Sequence, residues 1–456
     1  MSSEELHYGA AAVVDLAAHF HGLKQRATGF LDSFSASERG YFTPEEDEQT
    51  RHLLISYWQA RNALFELVTS FRSTQRFEEP LKSVALLTAY AGALVLVDAA
   101  RFLRESFHNR PVVRSKLNEP DEVFGIPAGT YDLVQKSLTS PVHAWHFYHA
   151  FRYVSEHREL LNKLVETESQ HELLVLVDQL QERLDVTVDR FVLARARVRS
   201  KSINQKFGMG LLSRALYGLQ KCVSQLIADC YMKIGHQPGL PAAVEEELEQ
   251  RMRPGDVIVV RKDHAFTNYF LPGYWPHAAL YLGTLTDLQE LHLNKTALHP
   301  HWQQLETLDT LTSARVLESM KDGVRFRSLA NPFKSDAIAV IRPQLELDQI
   351  TEAIARAIQH VNKPYDFDFD FTTADKLVCT EVVYRSLDRI GDIKFELTRR
   401  AGRLTLSAED LLQMAVDNRG FETIAVYCPA LSGQIQLASS GTEFLRRTIG
   451  RKSVSR

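Results

Sequence analysis

Cys379 is the side chain in this 456-residue chain best placed by its neighbours for covalent chemistry. It opens the run CTEVVYRSLDRI, in which Val382, Val383, Leu387 and Ile390 recur at helical spacing, so the thiol stands at a predicted helix N-terminus. The free N–H groups of a first helical turn favour the thiolate, which is the nucleophilic form, and a neighbouring imidazole would favour it further. Position alone does not assign catalysis, because a lone cysteine in such a place is more often a small buried hydrophobe. Two histidine groups compete for attention. His143, His146 and His149 share one helical face but are interleaved with Trp145, Phe147 and Tyr148, which favours aromatic packing over a ligand site. His292, His299 and His301 have no acidic or thiol partner at metal-ligand spacing, and no metal or cofactor is expected.

The elements that must position these residues change character along the chain. To about Gly235 the pattern is helical. Thr43 before Pro44, Glu45 and Glu46 reads as a capped helix start, a second long helix begins near Glu79, and Leu173, Val177, Leu180, Leu184, Val188 and Phe191 mark a third. Stripes of this kind need partners, so residues 1–238 are expected to form an all-α helical bundle. The breaker cluster HQPGLP, His236 to Pro241, marks the boundary to a second domain over 239–456. There, Asp256 to Val260, Ala278 to Leu282, Ala314 to Leu317 and Ala337 to Ile341 read as strands. Leu347 to Val361, Cys379 to Ile390 and Ser407 to Val416 read as helices, giving an α+β class overall.

Five blocks in this second half carry a resemblance: RPGDVIVV, PGYWPHAALYLG, VLESMKDGVRFRSL, NKPYDFDFDF and VCTEVVYRSL. In this order, from Arg253 to about Pro429, they resemble the permuted papain-like cysteine hydrolases of the YiiX/YebB type, related to the NlpC/P60 peptidases. The resemblance implies a domain with a small antiparallel sheet and packed helices. It makes Cys379 the nucleophile, His277 its general base and Glu318 the third polar member. It further implies that the backbone N–H of Cys379 is an oxyanion donor, with Tyr365 beside it and Thr380 in the same oxyanion or substrate-binding group. Glu381 reads as a helix-dipole or structural partner. Ser319 departs from the alanine expected beside Glu318. Histidine here precedes cysteine, the reverse of the papain order, but only the spatial arrangement matters to the chemistry.

Bulk properties narrow the function classes. Hydrophobic residues at 45% and charged residues at 24% describe an ordinary globular protein. A net charge of -4 supplies no broad positive field, so nucleic acid is not an expected partner. The four cysteines, Cys222, Cys230, Cys379 and Cys428, lack metal or disulfide spacing and read as reduced thiols. The first residues are acidic where an export signal would be basic, so a cytoplasmic location is expected. The uncharged run Val84 to Val97 is too short to span a bilayer and reads as a core helix. The basic stretch Arg195 to Lys206 leaves peripheral contact with anionic lipid open, and the helical half leaves homo-oligomer formation open.

The leading expectation is a cysteine-dependent amidase or peptidase-type hydrolase, forming a thioester acyl-enzyme with a small-molecule, peptide-like or acylated substrate. Two alternatives stand beside it: a lipid-directed thioesterase or acyltransferase, and a non-catalytic binding protein on the same fold.

Overall fold

The computed structural model describes residues 3–449, apart from 34–35, 71–80, 122–123, 139–149, 166, 184–237, 263–272, 294–298, 309–313 and 401–402. His143, His146, His149, the stretch Arg195 to Lys206, Cys222, Cys230 and the stripe positions Leu184, Val188 and Phe191 lie outside the described residues. The chain divides into two compact units, one comprising Met1–Glu122 and Ile126–Met232, the other Val123–Gly125 and Lys233–Arg456.

In the first unit four long helices pack on one another: α1 (Ser3–Ser33), α2 (Pro44–Ser70), α3 (Leu81–Phe107) and α4 (Glu168–Arg183). Local sequence fixes their ends. Thr43 Oγ1 accepts the Glu46 N–H at 3.3 Å while the Glu46 carboxylate accepts the Thr43 N–H at 2.8 Å, a reciprocal cap that satisfies two donors at the start of α2. Pro44 occupies the first helical position, where its missing N–H costs nothing. The predicted stripe of α4 turns inward at Leu173, Val177 and Leu180. Helix α3 is long and apolar enough to cross a membrane by length and composition, yet 89% of its apolar window is buried inside the protein. It is the central helix, touching α1, α2 and α4.

The second unit is built on a seven-stranded antiparallel sheet in the order β4-β3-β2-β1-β5-β8-β9. The strands are β1 (Val257–Arg261), β2 (His277–Gly283), β3 (Arg315–Met320), β4 (Gly323–Ser328), β5 (Ala337–Pro343), β8 (Phe421–Tyr427) and β9 (Gln436–Leu437). A separate hairpin pairs β6 (Thr398–Arg400) with β7 (Arg403–Thr405). The four predicted strand segments all lie in the large sheet, which is wider than expected because β8 and β9 extend it beyond β5. FETIAVY at β8 alternates in burial only over its first five residues, and its edge partner β9 has only two residues.

On one sheet face Ile258, Val260, Ala279, Tyr281, Val316, Ile338 and Val340 join a core completed by Val244 and Leu248 of helix α5 (Ala242–Arg251). Helix α7 (Cys379–Leu387) lies against β2 and β3 and is backed by α6 (Leu347–Ile358). Helix α8 (Ala408–Val416), capped by Ser407, and α9 (Ala438–Thr448) pack against β8. The α+β expectation therefore holds, with the helical part N-terminal and the antiparallel sheet C-terminal.

Candidate active site

His277 is the first residue of β2, Glu318 lies in β3 and Cys379 is the first residue of α7. The sheet register explains how the first two meet. Leu280 pairs with Leu317, so continuing the antiparallel ladder sets Ala279 opposite Glu318, and His277 falls two positions along on the same face. Such diagonal cross-strand neighbours are within reach of long side chains. His277 Nε2 and Glu318 Oε2 are 2.6 Å apart. The Cys379 side chain interacts with the same imidazole, raising its pKa. The structure thus brings the three residues together across two strands and a helix tip.

Electrostatics within this group are strongly perturbed. Burial pushes the His277 imidazole down, but the charge and hydrogen bond of Cys379, followed by those of Glu318, more than reverse this and raise its pKa to about 10. Burial pushes Glu318 up, yet the His277 hydrogen bond and charge, the Arg327 guanidinium and Lys262 hold it down near 2. Glu318 is 1% exposed and would be costly to bury alone. Its second oxygen faces Arg327 Nε at 3.2 Å and accepts from the Asn331 amide, while Arg327 also ion-pairs with Asp322. The carboxylate is consequently fixed on both oxygens, and that fixes the imidazole it holds.

The backbone leading into α7 is held as tightly. Ser319 Oγ donates to the Leu377 carbonyl at 2.6 Å, tying the strand that carries Glu318 to a residue two positions before Cys379. Tyr365 forms a parallel bridge with Leu377, and Leu377 N–H donates to the Pro364 carbonyl at 3.0 Å. The Lys363 carbonyl in turn accepts from Val324 N–H at 2.9 Å. This close approach requires Gly323, whose φ is +86° and where a Cβ would lie 2.3 Å from the Lys363 oxygen.

The Tyr365 ring is half-buried against Phe367 and Phe369, at centroid distances of 4.9 and 6.0 Å. Asp366 shapes the aromatic loop by accepting the N–H groups of Asp368 at 2.9 Å and Asp370 at 2.6 Å. Burial raises its pKa to about 6 despite those bonds.

Thr380 is fully buried, and its hydroxyl has no hydrogen-bond partner among the described residues. The N–H groups of Cys379 and Thr380, in the first turn of α7, have no helical acceptor by position. Glu381 is buried and paired with Arg385, whose Nε and Nη2 donate to it at 2.8 and 2.6 Å. Burial nevertheless raises its pKa to about 7, with the Asp366 charge acting in the same direction.

Several supports of the site carry weak sequence signals. The turn before His277 is clamped: Tyr274 N–H donates to the Glu409 carboxylate at 2.5 Å, and Arg261 donates to the Tyr274 carbonyl at 2.8 Å while lying over its ring. Trp275 is fully buried with its indole N–H on Thr448 Oγ1 at 3.0 Å. Gly273, at φ +106°, has no room for a Cβ beside Glu409. A glycine before YWPH is legible as a turn and Arg327 lies within the VLESMKDGVRFRSL block without a role that the block marks, whereas Asn331 and Glu409 lie outside the five blocks. Among the described residues no group of three His, Cys, Asp or Glu side chains could hold a metal ion. His292 is exposed, and the His301 ring lies against Phe326 at 5.8 Å.

No curated protein and no solved structure matches the chain. Residues 251–432 match the sequence model of a family described as permuted papain-like amidase enzymes, YaeF/YiiX, C92 family. The matched stretch runs from the end of α5 past β8 and includes His277, Glu318 and Cys379. Residues 251–432, in the C-terminal half of the chain, are therefore a permuted papain-like domain of the YaeF/YiiX, C92 amidase family.

Proposed function

We propose that this half of the chain hydrolyses an amide bond through a thioester acyl-enzyme on Cys379. The observation that carries the reading is the continuous contact from Glu318 through His277 to the Cys379 thiol. Cys379 and Glu318 together hold the His277 pKa at about 10 against the effect of burial, so the imidazole carries a proton at neutral pH that it can give to a leaving group.

In the first half-reaction the sulfur electron pair attacks the carbonyl carbon and forms the C–S bond. The carbonyl oxygen takes up negative charge, for which the Cys379 N–H at the helix start is a suitable donor. His277 gives its proton to the leaving nitrogen, the C–N bond breaks, and the amine departs. Water then attacks the thioester, His277 takes a proton from it, and the carboxylic product leaves as the C–S bond breaks. Glu318 orients the ring and stabilises its charged form in both halves. Tyr365 and Thr380 remain assigned to the surroundings of the substrate carbonyl, Tyr365 through its bridge to Leu377 and Thr380 through its first-turn N–H. The substrate class is a peptide-like or acylated small molecule.

The test is a panel of amides, thioesters and esters presented to the wild-type chain, Cys379→Ala and His277→Ala, with acyl-enzyme trapping followed by intact-mass measurement. An acyl adduct confined to Cys379, formed from an amide and lost in both variants, is the expected result. Equal labelling of Cys379 and Cys428 by a thiol electrophile under native conditions would sink the proposal.

A further inference from the structure

Between α6 and α7 the chain runs through NKPYDFDFDFTTAD, and cationic side chains from three elements donate to the backbone of this loop. Arg403, the first residue of β7, donates to the Asp368 carbonyl. Arg385 Nη2, from α7, donates to the Thr373 carbonyl. Lys363 Nζ, from the turn after α6, donates to the Ala374 carbonyl at 2.6 Å. Loop backbone ordinarily satisfies itself with water, so three charged donors on the carbonyls of one loop indicate that its path matters.

Phe369 shows why so many restraints are needed. Its φ is +52°, a region that a bulky residue rarely enters, and it is buried with its ring 6.0 Å from that of Tyr365. Strained backbone of this kind persists only where the surroundings over-determine it, and it gathers at sites whose geometry is used. The loop departs from the site at Tyr365, which bridges to Leu377, two residues before Cys379.

Of the three cations, Arg385 belongs to the nucleophile helix, and a buried partner holds it. Glu381, 0% exposed and one turn earlier, accepts both Nε and Nη2 of Arg385 on one oxygen. An exposed pair at this spacing would support the helix as well, and burying the carboxylate is costly. What burial adds is direction: the planar guanidinium is fixed so that the same Nη2 reaches the loop.

We propose that Glu381 and Arg385 are positioning residues for acyl transfer: Glu381 aims Arg385 at the Thr373 carbonyl, and that bond keeps the loop, and with it Tyr365, in register with the carbonyl that Cys379 attacks. Both act through Tyr365 and not on the reacting atoms. The proposal rests on the reading of Cys379 as nucleophile and adds to it a link between the nucleophile helix and the aromatic loop.

Two reagents separate positioning from thiol reactivity in the full-length chain. Iodoacetamide alkylates a thiolate without attack on a carbonyl, whereas p-nitrophenyl acetate acylates it through a tetrahedral oxyanion. Arg385→Ala should slow acetylation of Cys379 by about ten- to a hundredfold and leave its alkylation within about twofold of wild type. Glu381→Ala should do the same. Arg385→Lys should recover part of the rate, because an ammonium lacks the fork that serves carboxylate and carbonyl together. Tyr365→Ala should reproduce the defect, and the double variant with Arg385→Ala should be no slower than Tyr365→Ala alone, since residues acting in series do not add. Thermal melts show which variants fold; if Arg385→Ala does not, Arg385→Lys combined with Tyr365→Ala decides. Equal slowing of both reactions, or losses that add in the double variant, would overturn the proposal. Failure of the underlying reading looks different: the wild-type chain then releases nitrophenol no faster than Cys379→Ala, and the proposal falls with it.

Discussion

Each unit buries a carboxylate between two cations, and the cations respond in opposite directions. Glu318 lies between His277 and Arg327, and Asp98 lies between Lys24 and Arg183. Burial is the largest single influence on both His277 and Lys24, and in both it disfavours the charged form. His277 is nevertheless raised because Cys379 acts on it beside Glu318. Lys24 has Asp98, which it shares with Arg183, and the weaker charge of Glu105, and is lowered. How strongly its partners act on a buried cation, more than the presence of an ion pair, decides whether it keeps its proton. In the sheet unit one of those partners is the proposed nucleophile, Cys379.

Removing it should give the largest effect. Cys379→Ala is expected to reduce hydrolysis by about four orders of magnitude or more, as loss of a covalent nucleophile does elsewhere. It should also take away the leading opposite charge on His277, so an NMR titration of that imidazole should show a lower pKa than in the wild-type chain. An unchanged His277 titration would break the comparison even if activity were lost. Next in size is Glu318. Glu318→Gln should slow reaction of Cys379 with a thiol electrophile by about 10²–10⁴-fold, because the ring loses the partner that sets its orientation and charge. Glu318→Ala, which strands His277 and Arg327 beside a void, should cost about 3–5 kcal/mol in urea denaturation.

The pH dependence sharpens the same point. His277 has a folded pKa raised to about 10 from 6.5, so its stabilisation is full below about pH 6.5 and is lost as pH rises through about 10. Glu318 is lowered from 4.5 to about 2, so its contribution is present above pH 4.5 and is lost as pH falls toward 2. The stability difference between wild type and His277→Ala should therefore shrink on the alkaline side. That between wild type and Glu318→Gln should shrink on the acid side. Chemical denaturation at closely spaced pH values measures both, and flat differences across either window would contradict the charge assignment.

The sequence made the nucleophile helix legible because Cys379 is followed by an uninterrupted apolar stripe, Val382, Val383 and Leu387, that could only bury itself against something else. His277 and Glu318 were legible only as members of ordered blocks. Nothing in AALYL or VLES states that two strands pair in a register that makes these residues diagonal neighbours. That register is a tertiary fact, set by Leu280 meeting Leu317. The same limit hid Asn331, Arg327 and Glu409, whose partners lie on other elements. Ser319 was the instructive miss: where a small apolar residue was expected, a hydroxyl stands, and its purpose appears only when Leu377 is brought beside it. In the helical half, caps and stripes predicted α2 and the inward positions of α4. The pairing of Lys24 with Asp98 joins residues 74 positions apart and had no sequence signal.

Lys24→Met tests the other side of the comparison with a smaller expected effect. Since burial outweighs Asp98 in setting the Lys24 pKa, replacing the ammonium by an apolar chain of similar length should leave stability at neutral pH unchanged or raise it by about 1 kcal/mol. Arg183 remains to pair Asp98. A loss of several kcal/mol, comparable to that of Glu318→Ala, would show that the two ion groups are energetically alike and that the strength of the facing partners is the wrong distinction.

Ser319→Ala should give the smallest change and the finest resolution. Its hydroxyl is buried and donates to the Leu377 carbonyl, so its removal leaves that acceptor without this donor and should cost about 1 kcal/mol. The bond joins the strand holding Glu318 to the backbone two residues before Cys379, so loosening it should alter the sulfur-to-imidazole distance without touching either group. The expected signature is a severalfold fall in the labelling rate of Cys379 with the pH profile unchanged, because the charges facing His277 are all still present. Ser319→Thr, which keeps the hydroxyl, should recover most of the rate if the added methyl fits. A pH profile that shifted in Ser319→Ala would mean that the hydroxyl sets the ionisation of the pair and does more than hold α7 against β3.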